Sequence, residues 1–307
     1  MKFSDKRFLV TGGAGFIGSS LVRELINRES DVTVLDDFSV GKKANVPGEC
    51  DLIEFDVSSR DWMSKVSNVD YILHFGAPSS VMLFKQSLNK CVTDTILGMI
   101  NVLEYSKLYH VKKVVFPSSS SVYGNTPLPQ SESTPTSPIN IYGVAKLTCE
   151  YMAQLYADTV PNVGLRIFAG YGPGEGHKGS IASVVSLFMN DLKAGIQPII
   201  FGDGSQSRDF VYIDDIVQSA LNCISNDFTG IVNVGSGESH NFVEVIGLMN
   251  SVLGTSIQPR YVEKPAHYFE RTRAEVTKME KTLDVHPTSL EVGLIKYING
   301  DSRVLEQ

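Results

Sequence analysis

The sequence predicts a doubly wound α/β fold: a parallel sheet covered by helices on both faces, with a smaller C-terminal lobe. Three observations carry this. Short, continuously apolar runs alternate with amphipathic ones through the first half of the chain. A glycine-rich turn joins the first apolar run to the first amphipathic one. The alternation then stops after Phe168, where the loop AGYGPGEGHKGS begins and the strands become shorter.

The elements follow in order. RFLVTG is the first strand, and FIGSSLVRELINR carries apolar residues at helical spacing. DVTVLDD is a β-branched strand, followed by DLIEFDV and DYILHFGA. LNKCVTDTILGMINVLEYSKLY reads as a long helix, VKKVVFPSS as a strand, IYGVAKLTCEYMAQLYADT as a helix and NVGLRIF as a strand. NTPLPQSESTPTSPIN, rich in proline and hydroxyl residues, is expected to be an extended surface segment. The expected division assigns residues 1–168 and 205–232 to the sheet domain, and 169–204 and 233–307 to the lobe.

A chain of 307 residues can bury one large α/β core or two unequal ones. Its formal net charge of −7 gives no electrostatic reason to expect a nucleic acid or an anionic membrane. A local site for an anionic small molecule can still be basic. Cys50, Cys91, Cys149 and Cys223 lie far apart with no C-x-x-C pair, which argues against a zinc site and a disulfide framework. No metal is expected. The start MKFSDKRFLVTGG lacks a signal layout, and no stretch approaches about 18 uninterrupted apolar residues. A soluble, cytoplasmic protein is the expectation.

Gly12, Gly15 and Gly18 stand at three-residue spacing between the first strand and the first helix; Gly13, Gly15 and Gly18 also satisfy G-x-G-x-x-G. Such glycines permit a tight turn and close backbone approach to a pyrophosphate. The helix N-terminus, at Phe16 and Ile17, stabilises its charge. Asp36 ends the second strand about 20 residues on, where a carboxylate binds the adenosine ribose. It would repel the 2′-phosphate of NADP, so NAD is the expected cofactor. Lys42 and Lys43 follow closely and read most simply as solvated loop charges. Asp56 and Val57 are positioned to flank adenine, and Phe75, Gly76 and Ala77 of FGAPSS to run along the dinucleotide.

Tyr142 and Lys146 stand at i, i+4 on one helix face. Together with the glycine turn and the intervening PSSSSVYG, they resemble the extended short-chain dehydrogenase/reductase family, and within it the NAD-dependent epimerase/dehydratase group. TGGAGFIGS, LDDFSVGK, PSSSSVYG, YGVAK, LRIFAGYGPG, FGDGSQSRDFVYIDD and NVGSG occur in that group's order over nearly the whole chain. The resemblance implies a Rossmann fold. It implies that Tyr142 is the acid/base, that Lys146 binds the nicotinamide ribose and lowers the tyrosine pKa, and that Ser119 hydrogen-bonds the reacting oxygen. Asp37, Phe38, Ser39, Gly41 and Lys42 of LDDFSVGK are likewise expected in the cofactor site. A free tyrosine has a pKa of about 10; an ammonium and the nicotinamide cation together bring it down by roughly 2–3 pH units.

Aligned from its Val-Tyr-Gly end, PSSSSVYG makes Ser119 the family's catalytic hydroxyl. Sugar-nucleotide 4,6-dehydratases of the family carry Asp-Glu at the next two positions, and UDP-glucuronate decarboxylases a glutamate at the second. This chain has Ser120 and Ser121, and neither hydroxyl replaces a carboxylate as a proton carrier at neutral pH. The resemblance therefore implies oxidation and re-reduction at C4. The expected activity is a nucleotide-sugar 4-epimerase on a UDP-hexose of the UDP-glucose/UDP-galactose type, passing through a 4-keto sugar. A dehydratase or 4-keto reductase of the same family is the enzymatic alternative. A non-catalytic NAD(H)-sensing protein is the other, and the intact Ser119, Tyr142 and Lys146 argue against it.

By the same resemblance Arg208, in GDGSQSRDFVYIDD, is expected to bind the substrate diphosphate; an ion pair with Asp209 or Asp214 is its alternative. Ser79, Ser119, Ser121 and Tyr142 complete the expected substrate contacts. Three positions depart from the family pattern. Ala169 replaces its usual asparagine, His267 in KPAHYF stands where an arginine is common, and Thr95 replaces an asparagine of the long helix. His177 and Lys178 offer positive charge to a diphosphate, or are simply solvated. The long helix from Leu88 and the one bearing Tyr142 resemble the pair that meets across the family's dimer, so a homodimer is expected.

Overall fold

Seven short strands build the central sheet; all but the edge strand Asp51–Glu54, which is half-exposed, are mostly buried. In chain order they are β1 (Arg7–Thr11), β2 (Asp31–Asp36), β3 (Asp51–Glu54), β4 (Tyr71–His74), β5 (Lys113–Ser119) and β6 (Asn162–Ile167), joined much later by β11 (Gly230–Val234). The computed structural model describes residues 2–264 and 270–299. All neighbours pair in parallel, in the order β11-β6-β5-β4-β1-β2-β3. β1 lies between β2 and β4, so the chain reverses its direction of travel across the sheet there. That reversal opens a crevice at the carboxyl ends of the strands.

Helices cover both faces. α1 (Phe16–Asn27) packs with α6 (Ile213–Ser225), while the short α2 (Val81–Gln86), the long α3 (Leu88–Leu108) and α4 (Ile141–Leu155) pack together. The remaining strands are short pairs outside the sheet. β7 (Ala169–Tyr171) runs parallel to β10 (Phe210–Tyr212), β8 (Ile199–Phe201) parallel to β13 (Arg260–Val262), and β9 (Ser207–Arg208) antiparallel to β12 (His240–Asn241). With α5 (Val184–Lys193), α7 (Phe242–Leu253), α8 (Thr277–Leu283) and α9 (Leu290–Ile298) they complete the chain. One apolar core runs from Val10 and Val115 of the sheet to Phe188 and Phe242, so the lobe shares the sheet's core. Among the described residues no helix is long and apolar enough to cross a membrane.

Two segments differ from the sequence expectation. AGYG is a strand rather than part of a loop, because Ala169–Tyr171 pairs residue for residue with Phe210–Tyr212. The segment around Pro129 is not wholly on the surface. Gln130 is fully buried; its N–H donates to Arg273 O, and its own carbonyl accepts from Asn233 Nδ2 and Glu275 N. Its polar backbone is satisfied by segments distant in sequence, which composition does not reveal.

The catalytic end of the sheet is fixed by one buried cluster. Glu150 of α4 receives both Arg166 Nε (2.9 Å) and Nη2 (2.7 Å) from β6, and also the Ser118 hydroxyl from β5. The Arg166 guanidinium lies 4.8 Å from the centre of the Tyr123 ring. Arg166→Met leaves a carboxylate buried without its cation and is expected to lower unfolding free energy by about 3–5 kcal/mol. Adding Glu150→Leu should recover much of that loss. Urea melts of the single and double variants test this; equal stability of Arg166→Met and wild type would overturn it.

Candidate active site

A cleft of about 570 Å³ lies at the carboxyl ends of the strands, within the range of small-molecule sites. Its first wall is the β1–α1 turn. Gly12 adopts φ +69°, and a Cβ there would stand 2.5 Å from the Phe75 carbonyl. A Cβ on Gly18 would stand 2.0 Å from the Gly12 carbonyl oxygen. Only glycine therefore lets the turn close against β4 and α1 at once. Gly15 caps α1 without a side-chain hydrogen bond, so the helix offers its N-terminal dipole to a ligand.

Asp36, at the end of β2, is held for the same ligand. Its Oδ2 accepts from Ala14 N–H and its Oδ1 from Phe38 N–H, both at 2.9 Å. Burial pushes the carboxyl up; those two donors partly offset it. Asp37, Asp56 and Asp94 line the cleft nearby, with Lys90 3.0 Å from Asp94 and 3.5 Å from Asp56. An additional phosphate would meet net negative charge on this side. Gly12, Gly15, Phe16, Ile17, Gly18, Ser39, Gly41, Val57, Phe75, Gly76 and Ala77 line the cleft as expected. Phe38 and Lys42 do not. Phe38 contributes its backbone to Asp36 from a left-handed φ of +55°, and Lys42 is exposed and binds Ala14 O through its own N–H. These residues fit a dinucleotide with free 2′- and 3′-hydroxyls.

The second wall is built by β5 and α4. Ser119 ends β5, and its Oγ accepts from Ser121 N–H (3.1 Å) at the start of a tight helical turn. Asn140 caps α4 by accepting from Gly143 N–H (2.8 Å). A Cβ on Gly143 would stand 2.6 Å from the Ser121 carbonyl, so α4 packs directly on the serine turn. Tyr142 is thereby brought beside the Ser119 side chain, which favours its ionised form. One turn on, Lys146 Nζ donates to Pro117 O (3.2 Å) and lies 5.8 Å from the centre of the Tyr142 ring. Both side chains are buried.

Burial raises the Tyr142 phenol above its ordinary value, against the lowering pull of Ser119, and lowers the Lys146 ammonium. The expected lowering belongs to the ammonium and the nicotinamide cation together, and the protein groups supply only the first of these. Desolvation wins until a further positive charge enters. Behind Lys146, His74 is pushed down to about 3 by burial and by that ammonium, and its Nδ1 hydrogen-bonds Thr11 Oγ1 at 2.7 Å. Thr95 is buried there and donates to Cys91 O (2.7 Å).

The third wall comes from the lobe. Arg208 donates to Ser207 O (2.9 Å) and Glu270 O (3.3 Å), with its guanidinium 5.6 Å from the centre of the Phe242 ring. The neighbouring Asp209 carboxylate accepts from Ser236 N and Oγ, Gly237 N and Ala274 N. Ser79, Ser121 and Ala169 also line the cleft; His267 lies outside the described residues. Sequence reasoning missed Glu175, Phe242 and Thr272, which line the cleft too. Only tertiary packing brings Phe242 and Thr272 there, and no local motif marks them. Among the described residues, no group of three or more His, Cys, Asp or Glu side chains is placed to hold a metal.

Comparison with known proteins agrees with this construction. Residues 8–235 match the family model "NAD dependent epimerase/dehydratase family". A Methanocaldococcus jannaschii protein named "Putative UDP-glucose 4-epimerase" is 32% identical over 300 residues, covering 95% of this chain and 97% of that protein. The UDP-glucose 4-epimerase of Thermotoga maritima, solved with UDP-glucose, superposes with a TM-score of 0.90 at 30% identity, covering 95% of this chain and 97% of that one. The UDP-glucose 4-epimerase of Thermus thermophilus, solved with NAD, gives 0.89 at 28% identity, covering 95% and 98%. With a Rossmann sheet, a glycine turn shaped for a pyrophosphate and a Ser-Tyr-Lys cluster in the same cleft, the chain belongs to the NAD-dependent epimerase/dehydratase family, and its cofactor is NAD.

Proposed function

We propose that the protein is a nucleotide-sugar 4-epimerase acting on a UDP-hexose, with Tyr142 as acid/base, Ser119 as partner of the reacting oxygen and Lys146 as the residue that holds the nicotinamide ribose. The observation that carries this reading is the Ser119–Tyr142–Lys146 cluster in a cleft whose serine turn has no carboxylate. Elimination of water needs an additional acid and base. Ser120 and Ser121 supply neither, Glu175 is engaged by Lys178, Ser183 and Ser186, and Asp36 is engaged by backbone N–H groups. The names of the relatives described above support the same reading.

When bound, NAD supplies a hydride acceptor and a cationic ring. The chain's own residues orient the sugar and move the proton. Tyr142 Oη accepts the proton of the C4 hydroxyl as that carbon is oxidised, while the Ser119 hydroxyl holds the oxygen in place. Lys146 keeps positive charge beside the phenolate form of Tyr142 that takes up this proton. Arg208 anchors the diphosphate, so the 4-keto sugar can turn about that link and present its other face. Tyr142 then returns the proton to the C4 oxygen, and the hydride that the reduced cofactor would hold goes back to that carbon on its other face. On this reading residues 1–168 and 205–232 form the NAD domain, and 169–204 and 233–307 the substrate lobe.

A homodimer through α3 and α4 belongs to the same reading. Val144, Tyr151 and Leu155 of α4 share one helix face and are 44%, 58% and 85% exposed; Leu97 of α3 is 44% exposed. The protein is also read as cytoplasmic, since Cys91, Cys149 and Cys223 are free and buried.

Three outcomes are expected. Incubated with UDP-glucose, the wild type should give an equilibrium mixture with UDP-galactose by proton NMR. Tyr142→Phe should lose about 10²–10⁴-fold in turnover. A deoxy-keto product, or undiminished turnover in the variant, would sink the mechanism. Next, the phenolate absorbance present in wild type and missing in Tyr142→Phe should appear above pH 10 in cofactor-free protein. It should move to lower pH with NAD⁺, since an added cation favours the ionised phenol; identical titrations would refute this. Finally, Tyr151→Lys combined with Leu155→Glu should yield monomers in sedimentation, and a wild type that is itself monomeric would disprove the interface.

A further inference from the structure

Three cationic side chains line the cleft among the described residues: Lys146, Arg208 and Lys178. The first two have roles in the reading above; Lys178 has none. It follows the Gly172-Pro173-Gly174 turn, on a helical segment (Gly176–Ile181) laid across the glycine turn of β1–α1. Its ammonium stands 4.6 Å from the centre of the ring of Phe16, the first residue of α1. It is aimed there by Glu175, which is 1% exposed and 2.8 Å from Nζ. Glu175 is itself held by Ser183 N–H and by the hydroxyls of Ser183 and Ser186. Tyr297 of α9 donates to the Ser186 hydroxyl at 3.0 Å.

Next to it, His177 is part of the same wall. Its Nδ1 lies 3.0 Å from Gly174 O and 3.3 Å from Asn45 Nδ2, and Asn45 donates to Ala14 O in the glycine turn (2.8 Å). Gly174 O only accepts, so Nδ1 carries a hydrogen. The opposite nitrogen, Nε2, is buried and has no protein partner among the described residues. With the hydrogen on Nδ1 and burial favouring the neutral ring, Nε2 can only accept, so it suits a ligand hydroxyl and not a phosphate oxygen.

We propose that Lys178 is a diphosphate-binding residue, tethered by Glu175 so that its ammonium meets a phosphate oxygen at the N-terminus of α1, with His177 completing that wall. Two features converge there: an ammonium fixed in direction and the dipole of a twelve-residue helix without a side-chain cap. The cleft must take two diphosphates, the cofactor's and the substrate's. The place of its ammonium over Phe16, the first residue of α1, favours the cofactor's pyrophosphate. The inference rests on the NAD site alone, so it can be tested even if no sugar nucleotide reacts.

Because Lys178 also neutralises Glu175, the test uses a background in which that duty is gone. Glu175→Gln and Glu175→Gln/Lys178→Met are compared as cofactor-free proteins by calorimetric titration with NAD⁺, adenosine and UDP, folding being checked by circular dichroism. The added Lys178→Met is expected to weaken NAD⁺ by about tenfold, as for one lost charge-assisted hydrogen bond, and to leave adenosine unchanged. Loss in the NAD⁺ arm identifies the cofactor's pyrophosphate, and loss in the UDP arm the substrate's diphosphate. Unchanged affinity for both, or an equal loss for adenosine, overturns the proposal. Should the double variant not fold, Lys178→Arg in the wild-type background decides: affinity for NAD⁺ kept within about threefold supports a phosphate-binding cation, and a loss shared with adenosine refutes it.

Discussion

The geometry of the catalytic end depends on the buried pairing of Glu150 with Arg166. Tyr142, Lys146 and Glu150 succeed each other at four-residue intervals on α4, so they form one line on its inner face. Glu150 ties the end of that line to β6 through Arg166 and to β5 through Ser118. Gly143 lets the start of the line touch the serine turn. The helix is thus fixed at both ends against the strand that carries Ser119. A buried ion pair is weak evidence for net stability, but breaking one is costly. Its value here lies in the register it imposes between a helix and two strands.

Charge along the cleft is graded. Asp36, Asp37, Asp56 and Asp94 surround the adenosine end, where the ligand brings hydroxyls. Lys146, Lys178 and Arg208 line the rest of the cleft, where the proposed reading puts the phosphates and the substrate. The gradient explains how a chain of net charge −7 accepts an anionic ligand pair. The same acidic end disfavours a 2′-phosphate, which accords with NAD rather than NADP.

Much of this is legible in the sequence, and the exceptions share a cause. Strands such as FLV and YIL are continuously apolar, and the glycine turn has fixed local chemistry, so both can be read from short windows. The positions of Tyr142 and Lys146 follow from helical period alone. Gln130, Glu175 and Thr272 cannot be read in this way. Gln130 acquires its setting from residues 273–275, and Thr272 from the distant segment 207–209, where Asp209 N–H donates to the threonine hydroxyl. Glu175 is marked by no motif, and its role appears only once Ser183, Ser186 and Lys178 fold around it. The electrostatic setting of Tyr142 is a related case: its place one turn before Lys146 is visible in the sequence, whereas the burial that raises its pKa is a property of the assembled core.

Ala169 matters for what it leaves out. It pairs with Phe210, two residues beyond Arg208, and follows β6, the neighbour of the Ser119 strand. An asparagine there would place an amide in the cleft; alanine places a methyl, beside Gly170 and lining the same space as Ser121 and Ser79. Ser79, Ser121, Ala169 and Gly170 thus give part of the cleft a lining of small side chains, and Arg208 lines it too. For a proposed reaction in which the sugar must turn over while its diphosphate stays held, that distribution is useful: binding energy is concentrated at the nucleotide, and little of it opposes rotation of the ring. The lost amide removes one fixed contact near the diphosphate. On the proposed reading the anchoring then falls more heavily on Arg208, which lies over Phe242 beside the pairing of β9 with β12.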